Sequence, residues 1–206
     1  MKEQMREIMD KFGNFLNESS LNRIHSHIMK YDCAVITAFR SKLINCIGGE
    51  DAGEKLNIRD NKSRNKHLKS ALLSLDYGVT SVKGTYIENY MSDNQVEVKE
   101  DSYFVVNLSG DPNFIEKIKK LGEMFCQDSV MIIEKGGDDN YLVGTNESDF
   151  PGYGEKIELG KFKPGIESEF MTKVSGRPFA LESFGDLQIN SKRIVKEFAK
   201  PILDLL

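Results

Sequence analysis

The sequence predicts an α+β sandwich whose core follows the ferredoxin-like split βαβ order, β-α-β-β-α-β, with one strand added. Three observations predict it. Two β-rich runs, Val79–Glu88 and Lys99–Leu108, flank a polar loop around Ser92-Asp93-Asn94, and their Val, Thr, Tyr, Ile and Phe suit a pleated, half-buried surface. One helical stripe precedes the pair (Leu68, Ala71, Leu72, Leu75) and another follows it (Phe114, Ile118, Leu121, Phe125). Short apolar runs at Cys33–Arg40 and Ser129–Glu134 supply the first and last core strands. Right-handed crossovers and short connections leave few other arrangements for this order.

In chain order, Met5, Ile8, Met9, Phe12, Phe15 and Leu16 recur at helical spacing, and Leu21–Met29 reads as a second helix capped by Ser19 or Ser20. Residues 1–31 are thus a helical appendage. Gly48-Gly49 and the polar stretch Glu50–Asn61 read as a loop, and Lys62–Leu75 as a helix ended by Asp76-Tyr77-Gly78. Asp111-Pro112 opens the next helix as N-cap and first helical residue. Gly136-Gly137-Asp138-Asp139 is a turn, and Tyr141–Thr145 the added strand, which closes a core at 32–146. Val35–Phe39 and Val130–Ile133 are apolar on both faces and ask for cover on both sides, from the N-terminal helices or the C-terminal segment. Beyond Asn146, Gly and Pro punctuate an irregular wrap over 147–206, ending in a helix at Ser191–Leu206 kinked by Pro201. The whole chain, 1–206, reads as one domain.

A net charge of −4 argues against strong non-specific binding to duplex DNA, which needs a basic surface. No apolar run reaches membrane-spanning length, and charges interrupt the first sixteen residues, so no signal peptide is expected. These features point to the cytoplasm. Cys33, Cys46 and Cys126 are odd in number and widely spaced, and read as reduced thiols. A Cys33–Cys126 bridge is excluded, because the two begin neighbouring antiparallel strands at opposite ends. His25 and His27 do not face each other on a helix, and no metal site is expected.

The split order carries polar residues to one end of the sheet. Arg40 ends the first strand, Arg64 and Asn65 lie near the start of the following helix, Glu88 and Glu100 belong to the central hairpin, and Gln127-Asp128-Ser129 begin the last core strand. Arg64 stands four residues before Leu68, on the stripe facing the sheet. Ser102 and Glu100 continue the parity of Phe104, Val106 and Leu108. Such a cluster is an ion-paired rim holding the hairpin to the helix, or else it binds a phosphate- or amide-bearing ligand, holds Mg²⁺ or works as acid and base. Lys55, Arg59, Lys62, Arg64, Lys66 and Lys69 make the first helix region basic, either to attract an anion or as a solvated face. Tyr77, Tyr86, Tyr90 and Tyr103 are candidate stacking platforms, although no RNA-binding signature accompanies them. Gly152-Tyr153-Gly154 lacks a dinucleotide-loop context, and no P-loop, G-x-S-x-G or H-E-x-x-H occurs.

The combination of Arg64-Asn65, Val82-Lys83-Gly84-Thr85-Tyr86-Ile87-Glu88, Glu100-x-Ser102-x-x-Val105-Val106 and Gln127-Asp128-Ser129 resembles an uncharacterised family of small phage and bacterial proteins. It covers the middle of the chain. The resemblance implies a phage-encoded accessory protein of the host cytoplasm or the virion; it transfers no activity, so its motif residues mark a site and no reaction. Three expectations follow. The first is a protein that binds an anionic small molecule, a nucleic-acid end or a protein partner through Arg40, Arg64, Asn65, Tyr86, Glu88, Glu100, Ser102 and Gln127. The second is a metal-dependent hydrolase or nucleotide-processing enzyme built on Glu88 and Glu100. The third is a virion component. Cofactor and oligomeric state stay open.

Overall fold

The computed structural model describes residues 23–43, 46–47, 53–88, 96–148, 151–159, 163–164, 169–174 and 177–183; from 83 to 100 and beyond Leu159 the description is of the backbone. The expected helices at Met1–Phe15 and Ser191–Leu206, and Tyr90 with the loop at 92–94, lie outside the described residues.

The core has the predicted order. A helical segment at 23–28 (α1) leads into β1 (Cys33–Ile36), followed by the short strands β2 (Lys42–Leu43) and β3 (Glu54–Lys55) and by helix α2 (Ile58–Ser74). The long hairpin β4 (Gly78–Glu88) and β5 (Val96–Val106), helix α3 (Phe114–Met124) and strands β6 (Ser129–Ile133) and β7 (Asn140–Gly144) come next. In the sheet the four core strands stand in the order β6-β1-β5-β4, every pair antiparallel. This is the split βαβ arrangement, with β7 added beyond β6. The segment expected to wrap the sheet instead lengthens it. Strand β8 (Lys156–Glu158) pairs with β7, and β11 (Arg177–Ser183) joins β4, followed outward by β10 (Glu169–Val174) and β9 (Lys163–Pro164). Pairing with an open edge, rather than alternation of its own, makes those residues strands.

Both faces are covered, as the two-sided apolar strands required. Ala34, Ile36, Tyr103, Val105, Val130 and Ile132 meet Leu68, Ala71 and Leu72 of α2 and Phe114, Ile118 and Leu121 of α3. On the other face Cys33, Val35, Phe104, Met131 and Ile133 pack with Ile24 and Ile28 of α1 and with Leu159. Gly122 lets α3 lie close: a Cβ there would stand 2.8 Å from both Thr145 Oγ1 and Val130 Cγ1.

Two element boundaries differ from expectation. Helix α2 begins at Ile58, inside the stretch read as loop, because Asn57 and Asp60 form a reciprocal capping box. Asp111 is not the N-cap of α3, which starts at Phe114. Its carboxylate accepts first from Lys117 Nζ (2.8 Å), then from the Tyr77 hydroxyl (2.6 Å) and the Asn113 amide. Those donors favour the ionised form and hold its pKa down to about 2. The unfolded chain binds the proton more tightly, so this stabilisation is complete above about pH 4 and disappears as pH falls toward 2. The expected contribution is about 1–2 kcal/mol. Thermal melting of wild type and Asp111→Asn between pH 2 and 6 checks it: the difference should be full at pH 6 and shrink below pH 4, and parallel curves would refute it.

Candidate functional site

The site is built around four residues that continue β1 without joining the sheet. The sequence reads Cys33–Arg40 as one strand, but β1 stops at Ile36, opposite Tyr103 of β5. Backbone groups of residues 38–40 are instead satisfied by side chains, as their burial requires. Asn65 Oδ1 accepts from the Ala38 amide (2.7 Å), and Arg64 Nε donates to the Ala38 carbonyl (3.0 Å). Thr37 Oγ1 accepts from the Phe39 amide, while Gln127 Nε2 donates to the Phe39 carbonyl. Asn61 takes both groups of Arg40, accepting from its amide and donating to its carbonyl, each at 2.8 Å. An asparagine side chain here imitates the edge of a neighbouring strand.

Helix α2 supplies these partners by its periodicity. Asn57, Asn61 and Asn65 stand at i, i+4 and i+8, and the apolar row Leu68, Ala71, Leu72 continues from them. The same side chain of Asn65 reaches the hairpin, where its Nδ2 and Thr37 Oγ1 both donate to the Asp101 carbonyl, at 2.7 and 2.9 Å. Asn65 is 4% exposed and ties the end of β1 to β5.

Behind this wall lies a second tier. Arg64 also donates to the Phe125 carbonyl and sets its guanidinium 5.7 Å from the centre of the Phe125 ring. Gln127 donates to that same carbonyl at 3.0 Å. Arg40 pairs with Asp128 at 2.8 Å, and Asn146 donates to the same carboxylate oxygen at 3.2 Å. Cys126, with a left-handed backbone (φ +54°) at the end of α3, is bridged to Cys46. That disulfide corrects the reading of three reduced thiols. Contact between residues eighty apart in sequence, produced by the packing of α3 against the segment after β1, brings the pair together. Cys33 is the free cysteine, buried in the core, where desolvation pushes its thiol up to about 12.

In front of the wall is a pocket of about 330 Å³ lined by Phe39, Lys62, Asn65, Ser81, Val82, Asp101, Ser102 and Tyr103. Its volume suits a small molecule. Of these, Ser102 is buried, while Lys62 and Asp101 are exposed and carry opposite charges. Of the residues expected at the site, Asn65 and Ser102 line the pocket, and Arg40, Arg64 and Gln127 build its wall.

The hairpin residues are placed by register alone. Glu100 is opposite Gly84, Tyr86 opposite Val98 and Glu88 opposite Val96. Val96 lies seven residues before Tyr103 on β5, so Glu88 is carried about 23 Å along the strand from the end of β1, and about 13 Å of ladder separates it from the Glu100 rung. Among the described residues no group of three or more His, Cys, Asp or Glu is placed to hold a metal ion. Tyr77 and Tyr103 are not exposed stacking surfaces: both are buried in the helix-side core. Reading the sequence missed Thr37, Phe39, Asn61 and Asp101. The spacing of Asn57, Asn61 and Asn65 was the one signal available for any of them.

Comparison with known proteins bears on these residues directly. A family model described as the S-adenosylmethionine lyase family matches residues 53–182. The matched region contains α2, the central hairpin, α3 and every pocket residue except Phe39. A search of curated proteins finds no match. The resemblance drawn from the motif residues pointed to a family without an activity, whereas the matching family carries one in its name. Spanning more than half of the sequence, the match shows that the chain belongs to the S-adenosylmethionine lyase family.

Proposed function

We propose that the pocket binds S-adenosylmethionine and cleaves one of its carbon–sulfur bonds without adding water. The observation that carries this reading is the pocket itself, a 330 Å³ space whose lining falls, Phe39 apart, within the family match. The small anionic ligand expected from the sequence becomes a zwitterion, with a carboxylate beside a sulfonium and an ammonium group. Phe39 offers aromatic surface to the base or the sulfonium, Asp101 attracts the cationic part, Lys62 meets the carboxylate and Ser102 adds a buried hydroxyl.

Such a reaction asks little of a protein in acid or base chemistry. A sulfonium leaves as a neutral thioether and needs no proton. The substrate's own α-carboxylate attacks its γ-carbon, the γ-carbon–sulfur bond breaks and its electron pair stays on sulfur. The products are a five-membered lactone bearing the ammonium group and 5′-methylthioadenosine, so atoms and charge balance. The chain has to fold the substrate so that carboxylate and γ-carbon meet, and to strip water from both. A wall fixed by Asn65 and Arg64 meets that need for a rigid cavity.

Incubating the purified protein with S-adenosylmethionine in EDTA tests the proposal. The expected result is enzyme-dependent release of 5′-methylthioadenosine with homoserine lactone as co-product. Breakdown no faster than in buffer alone would overturn it, and a turnover abolished by EDTA would favour the metal-dependent reading.

A further inference from the structure

We propose that the Cys46–Cys126 bridge is a redox latch on the wall of the pocket. Cys126 lies between the two residues that hold that wall from behind. The Phe125 carbonyl accepts from Arg64 and from Gln127, and Gln127 donates onward to the carbonyl of Phe39, a lining residue. Cys46 belongs to the chain that leaves the wall after Arg40 and Lys42. With their Cα atoms 4.9 Å apart, the two cysteines clamp the start of that chain onto the α3–β6 junction. The ring closed by the bridge contains α2, the hairpin and α3, and with them every pocket residue except Phe39.

The two sulfurs are unequally placed for exchange. Cys46 is half-buried, whereas Cys126 is 4% exposed, so an incoming thiolate meets the Cys46 sulfur. Cys126 then leaves as thiolate, and the buried Asn146 amide already donates toward its Sγ at 3.8 Å. A dithiol reductant completes the step: its second thiolate resolves the mixed disulfide, and two electrons and two protons pass to Cys46 and Cys126 as the reductant becomes a disulfide. The reduced chain keeps its fold but loses the tether behind Phe39. Access to the pocket therefore follows the thiol–disulfide balance around the protein.

The effect on turnover rests on the lyase reading; the effect on the wall does not. The experiment uses the full chain, oxidised with oxidised glutathione and verified by mass, against the same chain reduced with dithiothreitol. Hydrogen exchange of the Ala38 and Arg40 amides is expected to accelerate at least tenfold on reduction, and consumption of S-adenosylmethionine to fall at least tenfold, both reversing on reoxidation. Cys46→Ser should match the reduced protein in either buffer. Equal exchange in the two states, or three free thiols after oxidised glutathione, would overturn the latch. Accelerated exchange with no consumption by either form would uphold the latch and refute the lyase reading.

Discussion

Gly144→Ala is expected to destabilise the protein by about 3 kcal/mol or more, a drop of roughly 10 °C in melting temperature for a chain of this size. A Cβ on Gly144 would lie 1.6 Å from the carbonyl oxygen of Gly152 and 2.6 Å from its carbonyl carbon. Both are backbone atoms, and no rotamer change relieves the collision. The two segments are also bonded to each other, the Gly144 amide donating to Glu155 and the Gly154 amide to Gly144. Insertion of a methyl group therefore breaks a ladder as well as a contact. Residues just beyond Gly144 reach the site: Thr145 Oγ1 donates to the Gln127 carbonyl, and Asn146 holds Asp128 and Cys126. The informative control is Gly154→Ala. Nothing lies within 4 Å of a Cβ there, but φ is +76°, so backbone strain alone should cost about 1 kcal/mol. Thermal melts of both variants decide the matter. Equal small losses would mean that the crossing at Gly152 yields readily.

The parts of the fold that followed hydrophobic period were legible. Leu68-Ala71-Leu72 and Phe114-Ile118-Leu121-Phe125 gave both sheet-packing helices, and the β-branched runs gave the hairpin between them. From four strands and two helices in that order, few topologies remain, and the sheet has the expected one. What escaped were the places where buried polar groups replace apolar ones. The first turns of α2 bury Asn61 and Asn65, which a binary pattern scores as solvent-facing, so hydrophobic period alone places the helix start at Lys62. Residues 37–40 continue the run that begins with β1, yet their partners are side chains rather than a strand, and period-2 reasoning cannot tell the two apart. The Cys46–Cys126 contact depends on tertiary packing, to which spacing is blind. Strands β9, β10 and β11 take their conformation from the open edge of β4, so a segment with weak alternation of its own gave no sign of them.

Asn65→Ala should damage stability and function together. Deleting the amide leaves the Ala38 N–H without its acceptor beneath a buried wall and removes one of two donors from the Asp101 carbonyl. Thr37 Oγ1 still serves that carbonyl, so the orphaned Ala38 amide dominates the loss. Together with the space vacated, the expected cost is about 3 kcal/mol. Because Asn65 also lines the pocket, release of Ala38 and Phe39 misplaces the lining by distances that matter to a preorganised reaction, and kcat/KM for S-adenosylmethionine should fall about 100-fold. The comparison is Asn61→Ala. Asn61 makes the same two-sided grip on Arg40, one step further from the pocket and absent from its lining. It should cost about 1–2 kcal/mol of stability while leaving kcat/KM within about threefold. Denaturant unfolding gives the first quantity and steady-state turnover the second. If Asn61→Ala and Asn65→Ala lose activity in simple proportion to their stability, the asparagines only hold the fold. If Asn65→Ala alone collapses in kcat/KM at a temperature where both variants are folded, this side chain shapes the cavity in which the substrate has to bend.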